Sequence, residues 1–203
     1  MPPTNPGRRR ALTDAAIELL AVSGVHGLTH RAVEKAAGLP SGTASNYFRS
    51  REALLVAAAE RVVELHHADM DRAAREHGPV GTGTATAPAD VAGHLTELLT
   101  ASLLGAATVL RTRYLAIFEL RLEAVRRPVL AAALAGLQDV STRFTAGHHA
   151  DLGLPVPPER IPALITLYGG ALFTLVTAPP ESVGEEFVRG VVRAIVRAAL
   201  PEC

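Results

Sequence analysis

The sequence contains very little aromatic or sulfur chemistry. Of its 203 residues none is tryptophan, three are tyrosine, five are phenylalanine and one is cysteine. A single thiol, Cys203, excludes an internal disulfide and a thiolate metal cluster. Residues 1–10 lack the apolar segment of a secretory signal, and no apolar run looks long enough to span a bilayer. We therefore expect a cytoplasmic protein.

The chain also lacks net charge, since 20 basic residues balance 20 acidic ones. No overall attraction to nucleic acid follows from that balance. The charge is nevertheless uneven, because residues 1–52 carry a balance of +3 and the remaining 151 residues a balance of −3. This asymmetry favours a small nucleic-acid-facing part at the N-terminus of a neutral-to-acidic body.

Alternating β-branched runs are nearly absent, whereas apolar residues repeat every three or four positions along most of the chain. The pattern predicts an all-α fold of about nine helices. Without strands, no nucleophile elbow, phosphate-binding loop or dinucleotide-binding glycine motif has the context that its chemistry needs. Adjacent histidines, at 66–67 and 148–149, point about 100° apart on a helix, so we interpret them as exposed rather than metal-binding. We predict no enzyme: no catalytic residue, cofactor or metal site.

The stretch 28–52, LTHRAVEKAAGLPSGTASNYFRSRE, predicts two short helices joined by a tight turn. Thr29 can cap a helix over 31–37, and Gly38 stands where helices commonly end in a left-handed residue. A second helix, over 41–48, carries small polar side chains. Two such helices around a glycine-containing turn are typical of the helix-turn-helix, whose second helix enters the DNA major groove.

The remaining organisation is helical with two irregular segments. Residues 1–7 are proline-rich and expected to be disordered, and residues 77–90 are expected to form a flexible connection. Gly169 and Gly170, inside a helix predicted over 160–177, indicate a close helix crossing. The last helix is apolar over half its circumference. Such a helix needs two surfaces to bury it, namely its own body and a second copy of the same helix pair; the alternative is a fully intramolecular core. The predicted interface residues are Ile161, Leu164, Tyr168, Leu172, Phe187, Val191, Val192 and Ile195.

Residues 8–60 resemble the DNA-binding domain of TetR-family transcriptional regulators. The matching pieces are the basic start, A-x-x-L-L-A-x-x-G-x-x-G-L-T, the run R-A-V-E-K-A-A-G and the ending Y-F-x-S-R-E-A-L-L. The resemblance implies nine or more helices, a homodimer, a double-stranded, near-palindromic DNA operator and a small effector bound by the C-terminal domain. We place a three-helix DNA-binding domain at residues 1–50 and an effector-binding and dimerisation domain at residues 51–203.

Several predicted DNA contacts follow from helix ends and small side chains. Thr29 and His30 begin a helix, where backbone N–H groups and the helix dipole favour a phosphate. Gly42 and Ala44 would permit close approach and touch a thymine methyl group. Arg8–Arg10 form either an arm that enters the minor groove or a solvated tail. The full set of predicted DNA-binding residues is Thr29, His30, Arg31, Ser41, Gly42, Thr43, Ala44, Ser45, Asn46, Tyr47 and Arg51.

Specificity is predicted to depend mainly on Arg31, Thr43 and Asn46. Arg31 matches a family position that reaches base edges and suits guanine, with a phosphate contact or surface ion pair as the alternative. Asn46 can read adenine, or else bind phosphate or its own backbone. Many family members have two tyrosines where this chain has Ser45 and Asn46, so its reading face is smaller and more polar. Tyr47 and Arg51 match phosphate-contact positions.

The effector is expected to be apolar and of modest size, because the chain has few aromatic residues and many alanines and leucines. In the family its pocket lies inside the C-terminal helices. The residues predicted to line it, each with plain core or an internal ion pair as the alternative, are Tyr114, Phe118, Arg121, Phe144, His148 and Tyr168. Effector binding would tilt the fourth helix and change the spacing of two recognition helices about 34 Å apart, ending repression. The alternative is a small-molecule-binding module without specific DNA binding.

Overall fold

The computed structural model describes residues 5–76, 88–137 and 156–199. Within these ranges the chain forms nine α-helices and no strand, so the all-α prediction is confirmed. Their bounds are α1 Pro6–Gly27, α2 His30–Ala36, α3 Thr43–Tyr47, α4 Arg51–Glu76, α5 Pro88–Ala107, α6 Arg111–Ala124, α7 Pro128–Leu137, α8 Ile161–Thr177 and α9 Glu185–Ala199. The predicted connection 77–90 lies outside the described residues except at its end, where α5 has already begun.

The helices divide between two compact units. The first comprises Met1–His67 with Thr112–Leu137, and the second comprises Ala68–Arg111 with Gln138–Cys203. One division falls within α4 and another at the start of α6. The domain boundary predicted at residue 50 separates two functions, whereas these units are defined by packing. The predicted boundary therefore stays a prediction.

One hydrophobic core joins α1, α2, α3, the first half of α4, α6 and α7 in the first unit. The longer helices place leucine, isoleucine, valine or alanine on one face at intervals of three or four residues, whereas α2 and α3 contribute Val33 and Ala44. Phe48, which directly follows α3, is 3% exposed and belongs to this core. Its largest fully buried side chains are Leu12, Leu20, Leu28, Val33, Leu54, Leu55, Val62, Leu120 and Leu130.

Helix α1 begins earlier than the sequence indicates. Pro6 is its first residue, and the side-chain oxygen of Asn5 accepts the backbone N–H of Arg8 at 3.2 Å, which is an N-cap. Arg9 forms an ion pair with Glu60 at 3.4 Å. The expectation of a disordered segment is therefore wrong for residues 5–10, while the first four residues lie outside the described ranges. A minor-groove contact from Arg8–Arg10 stays a prediction.

The connection between α1 and α2 is held by two charged side chains from distant helices. Gly24 breaks α1 with φ 62° and ψ −174°, a conformation that is essentially restricted to glycine. At this break a carboxylate oxygen of Glu119 on α6 accepts the N–H of Val25 at 3.2 Å. The guanidinium of Arg51 donates to the carbonyl of Leu28 at 2.9 Å and also to the carbonyl of Val25. The start of the helix-turn-helix is thereby tied to α4 and α6.

In the second unit α5, α8 and α9 pack against one another. Arg189 on α9 links these helices by ion pairs with Glu97 on α5 and with Glu185 in its own first turn. The buried apolar side chains of this unit are Leu95, Leu99, Leu103, Ala106, Ala107, Leu164, Leu172, Leu175, Val176, Val188, Val192, Ile195 and Val196.

One helical segment reaches the length of a membrane span, contrary to the sequence-based expectation. Pro158–Thr177, which includes α8, is long and apolar enough by composition, with a mean hydropathy of 1.4. Leu164, Leu175 and Val176 in this segment are each no more than 2% exposed, and α8 packs on α5 and α9. These side chains belong to the core of the second unit, although only 22% of the apolar window is buried.

Candidate nucleic-acid interface and effector region

The first turn of α2 is built as the sequence predicts, but its charged residues are arranged differently. The hydroxyl of Thr29 accepts the N–H of Ala32 at 3.1 Å, so the predicted N-cap is confirmed. Arg31 is exposed and makes no hydrogen bond or ion pair with any residue that the structure describes. The nearest acid on α2, Glu34, is only 4% exposed, and its carboxylate accepts the N–H of Ala44 at 2.7 Å. An ion pair on α2 is therefore not the role of Arg31.

The turn between α2 and α3 has two glycines with positive φ. Gly38 has φ 65°, as predicted for the end of the first helix. Gly42 has φ 86° and is the N-cap of α3, where a Cβ would meet nothing within 4 Å. The backbone conformation favours glycine there, and the predicted close approach of Gly42 to DNA stays a prediction. The hydroxyl of Thr43, the first helical residue, donates to the carbonyl of Pro40 at 2.6 Å.

Helix α3 has one buried and one exposed face. Ala44 is 0% exposed and Phe48 is 3% exposed, and their spacing of four residues puts both toward the core. The side chain of Ala44 cannot reach a base, so its predicted DNA contact is wrong. Ser45 and Asn46 are exposed, as is Ser41 before the helix. These three form a small polar surface on the recognition helix and the turn that precedes it.

Three residues predicted to contact phosphate already have partners inside the protein. Nε2 of His30 donates to the carbonyl of Phe48 at 2.8 Å. The hydroxyl of Tyr47 donates to the carbonyl of Asn5 at 3.3 Å. Arg51 binds the two carbonyls at the end of α1. Contacts from these residues to phosphate stay predictions. While these internal bonds are kept, such contacts could use only nitrogen and oxygen atoms that are not engaged in them.

An open apolar groove of about 530 Å³ runs between α8 and α9. Phe187 is 59% exposed and Leu167 is 44% exposed, which is unusual for side chains of this size. The residues that line this groove include Leu167, Gly170, Thr174, Phe187, Val191 and Ala194.

The predicted interface set only partly coincides with this groove. Leu164, Leu172 and Val192 are at most 9% exposed and belong to the core of their own chain, so they are not on the open surface. Phe187, Val191 and Ile195 do line the groove. The two other predicted residues, Ile161 and Tyr168, are half-buried and do not line it.

The glycine pair of α8 does not mark a close helix crossing between parts of the chain that the structure describes. A Cβ added at Gly169 or Gly170 would meet no other described atom within 4 Å. The predicted crossing is therefore not formed among the residues that the structure describes. Gly170 instead opens onto the groove, where its missing side chain leaves room.

The predicted effector residues that the structure describes belong to two different compact units. Tyr114 and Phe118 on α6 are half-buried against the core of the first unit, whereas Arg121 is exposed, so the inward orientation predicted for it is wrong. Tyr168 lies in the second unit, where its hydroxyl is 2.6 Å from that of Ser102. Two predicted residues lie outside the described ranges: Phe144 and His148.

Three buried polar atoms have no partner in the part of the chain that the structure describes, and two of them, on Thr100 and Arg111, lie at positions that the sequence did not single out. Nε2 of His67, Oγ1 of Thr100 and one terminal nitrogen of Arg111 are buried without a hydrogen-bond partner among the described residues. Buried polar groups normally find partners, so such atoms are informative. His66 is 9% exposed, which makes the interpretation of it as an exposed histidine wrong. In the described ranges no three His, Cys, Asp or Glu side chains are grouped to hold a metal ion.

Comparison with known proteins gives two family-model matches. Residues 12–58 match the model described as bacterial regulatory proteins, tetR family. Residues 86–202, more than half of the chain, match the tetracyclin repressor-like C-terminal domain. The comparison with curated proteins gives no match.

Solved structures of similar fold cover nearly the whole chain. The multidrug binding protein EbrR complexed with ethidium is 29% identical over 94% of this chain and 99% of its own, with a TM-score of 0.60. The same protein complexed with imidazole is 26% identical over 98% of each chain, with a TM-score of 0.61. A TetR-family member from Streptomyces coelicolor A3 is 29% identical over 94% of this chain and 98% of its own, with a TM-score of 0.61.

These matches assign both parts of the chain. The N-terminal match contains α2 and α3 with their exposed polar surface, and the C-terminal match contains α5, α8 and α9. The chain belongs to the TetR family of transcriptional regulators, with an N-terminal DNA-binding domain and a C-terminal ligand-binding domain.

Proposed function

We propose that this regulator is a cytoplasmic homodimer that occupies a near-palindromic operator and represses transcription until a small apolar effector releases it. The observation that carries the proposal is the exposed polar face of α3, opposite a buried face at Ala44 and Phe48. A helix held in this way presents its polar side chains outward without needing to rearrange. Repression is the simplest outcome for a small dimer that occupies a promoter.

Sequence recognition is assigned to residues at both ends of the helix-turn-helix. Asn46 is exposed on α3 and can pair with N6 and N7 of adenine. Arg31 is exposed on α2, and the fork of its guanidinium can pair with O6 and N7 of guanine. Thr43 can still accept a hydrogen bond, although its hydroxyl proton is directed to Pro40. A phosphate contact from Thr29 would position the domain without specifying sequence, and so would one from Tyr47 if its hydroxyl proton moves from the carbonyl of Asn5 to the phosphate.

Dimerisation is assigned to the apolar groove between α8 and α9. Phe187 and Leu167 are large apolar side chains that their own chain leaves exposed to solvent. A second copy related by a two-fold axis would cover these side chains in both protomers. The bare backbone at Gly170 would admit a side chain from that copy. A dimer also supplies two recognition helices for half-sites about 34 Å apart, one turn of DNA.

The effector is proposed to be an apolar or aromatic molecule bound within the C-terminal domain. EbrR, one of the similar proteins, has been solved with ethidium, proflavin and malachite green, which are aromatic dyes. The unpaired buried atoms of Thr100 and Arg111 offer hydrogen bonds in a unit whose buried side chains are mostly apolar, as ligand sites commonly do. The mechanism is then a shift between two spacings of the DNA-binding domains, with α4 joining the two domains along the chain, and the ligand must bind one spacing more tightly.

A thermal-shift titration with ethidium tests the effector class. A ligand present at 100 times its dissociation constant stabilises the folded protein by about 2.7 kcal/mol, which should raise the melting temperature by several degrees. A screen in which only highly polar compounds raise it would contradict an apolar effector.

A gel shift tests the DNA-binding function itself. Duplexes from the region flanking the gene should give a specific complex that weakens steeply with salt, because bound phosphates release counterions. Random DNA of the same length is the control. Equal affinity for both would favour the alternative, a small-molecule-binding module without specific DNA recognition. No catalysis is proposed.

A further inference from the structure

We propose that His30 and Glu34, one turn apart on α2, hold the recognition helix α3 at its two ends and thereby determine which bases it reads. Neither residue has to touch DNA in this role. The proposal rests on the DNA-binding function and adds two residues that position the reading surface. It revises the role of His30 from a phosphate contact to a positioning residue.

The first contact is at the N-terminus of α3. The N-cap, Gly42, has no side chain to satisfy the N–H groups of the first turn, which have no partner inside the helix. Glu34 supplies the acceptor instead: its buried carboxylate lies 2.7 Å from the N–H of Ala44. A negative group is also favoured here by the helix dipole. Glu34 therefore acts as the cap that the sequence of α3 lacks.

The second contact is at the opposite end. Phe48 directly follows the last residue of α3, and its carbonyl accepts a hydrogen bond from Nε2 of His30 at 2.8 Å. A carbonyl oxygen can only accept, so Nε2 carries the proton. Only Nδ1 of His30 remains for any other partner, and a donor near a helix C-terminus is the arrangement that the dipole favours.

Helix α3 needs such support because it is only five residues long. Isolated helices of this length are not stable in water. Its apolar anchors are Phe48 and the small side chain of Ala44, and a methyl group resists rotation weakly. Since successive side chains are about 100° apart around a helix, even a modest rotation of α3 would redirect Ser45 and Asn46. The two polar contacts fix that rotation.

The test compares variants that keep or remove each hydrogen bond at similar volume. Glu34→Gln keeps an acceptor and Glu34→Met does not; His30→Gln keeps an N–H donor and His30→Leu does not. Glu18→Ala, the loss of an exposed acid on α1, is the control. The probes are a duplex that the wild-type protein selects from a random pool and an unselected duplex. Failure of the wild-type protein to select any duplex would count against the DNA-binding function rather than against this inference.

We expect Glu34→Met and His30→Leu to lose affinity for the selected duplex, each by roughly ten-fold, the effect of one lost buried hydrogen bond. Affinity for unselected DNA and the salt dependence should stay as in the wild type, and the glutamine variants should recover most of the loss. The double variant should lose little more than the worse single variant, because both contacts hold the same helix. New selections with the single variants should return altered sequences.

Three results would overturn the proposal. If His30→Leu lowers the salt slope by about one and its loss adds to that of Glu34→Met, His30 is a phosphate contact. If Glu34→Met selects the wild-type duplex with unchanged affinity, the buried carboxylate does not orient α3. If Glu34→Met loses its helical circular dichroism, its role is to maintain the fold rather than to position the reading surface.

Discussion

Gly24 and Glu119 should be coupled energetically, because the break in α1 and the carboxylate on α6 occupy adjoining space. Gly24→Ala places an L-residue at φ 62° and ψ −174°. Strain in this region of backbone conformation costs about 1–3 kcal/mol. The new Cβ would also lie 3.1 Å from a carboxylate oxygen of Glu119, closer than ordinary contact. That carboxylate must then move away from the N–H of Val25.

The magnitudes follow from these two effects. Glu119→Ala alone leaves the half-buried N–H of Val25 without its acceptor, at about 1–2 kcal/mol. Gly24→Ala alone combines the backbone strain with part of the same lost bond, giving about 2–4 kcal/mol. The double variant loses the bond only once and has no carboxylate to displace. Its destabilisation should fall short of the sum of the two single changes by about 1 kcal/mol.

Urea unfolding followed by circular dichroism measures this cycle. The four proteins must be compared at one concentration, because association makes apparent stability depend on it. Gly93→Ala is the matched control, since Gly93 is an exposed helical glycine whose Cβ would meet nothing within 4 Å. That change should be neutral or slightly stabilising. A Gly24→Ala protein within 0.5 kcal/mol of the wild type, or additive single changes, would refute the assigned geometry.

Three further predictions concern DNA, assembly and pH. Tyr47→Ala should weaken all duplexes alike in gel shifts, whereas Asn46→Ala should change base preference; an unchanged preference would exclude adenine readout. Phe187→Asp should yield monomers in sedimentation, unlike Val109→Asp at a comparably exposed valine outside the groove; a dimeric Phe187→Asp protein would contradict the interface. Hydrogen bonds from Arg127 and Arg126 hold the pKa of Glu123 below the ordinary value of a glutamate. The stability that the wild type gains over Glu123→Gln should therefore be complete well above that ordinary pKa and should fade in urea titrations as the pH falls below it; a constant difference would argue against these pairs.

Local chemistry explains how much of the helix-turn-helix could be predicted from sequence. Thr29 caps α2 and Gly38 has positive φ, and both depend only on neighbouring residues. The apolar face of α4 likewise follows from the spacing of residues within that helix. These features, with the motif resemblance, were sufficient for the fold class and the family.

Partners distant in sequence explain what could not be predicted. The bonds from Glu34 to Ala44, from His30 to Phe48 and from Arg51 to the end of α1 span 10 to 26 residues. Nothing in a residue's own neighbourhood indicates which distant backbone group it will meet.

The sequence by itself determined the helices, their apolar faces and the DNA-binding motif, because hydrophobic periodicity and capping are properties of short segments. Tertiary structure alone decided which way each helix is turned. Periodicity identifies an apolar stripe but not the part of it that faces the same chain. Val192 therefore proved to be buried where an interface was predicted, while Phe187 remained exposed. In the same way, the orientation of α3 buries Ala44, which is therefore not on the DNA-reading surface, and leaves Asn46 exposed on that surface.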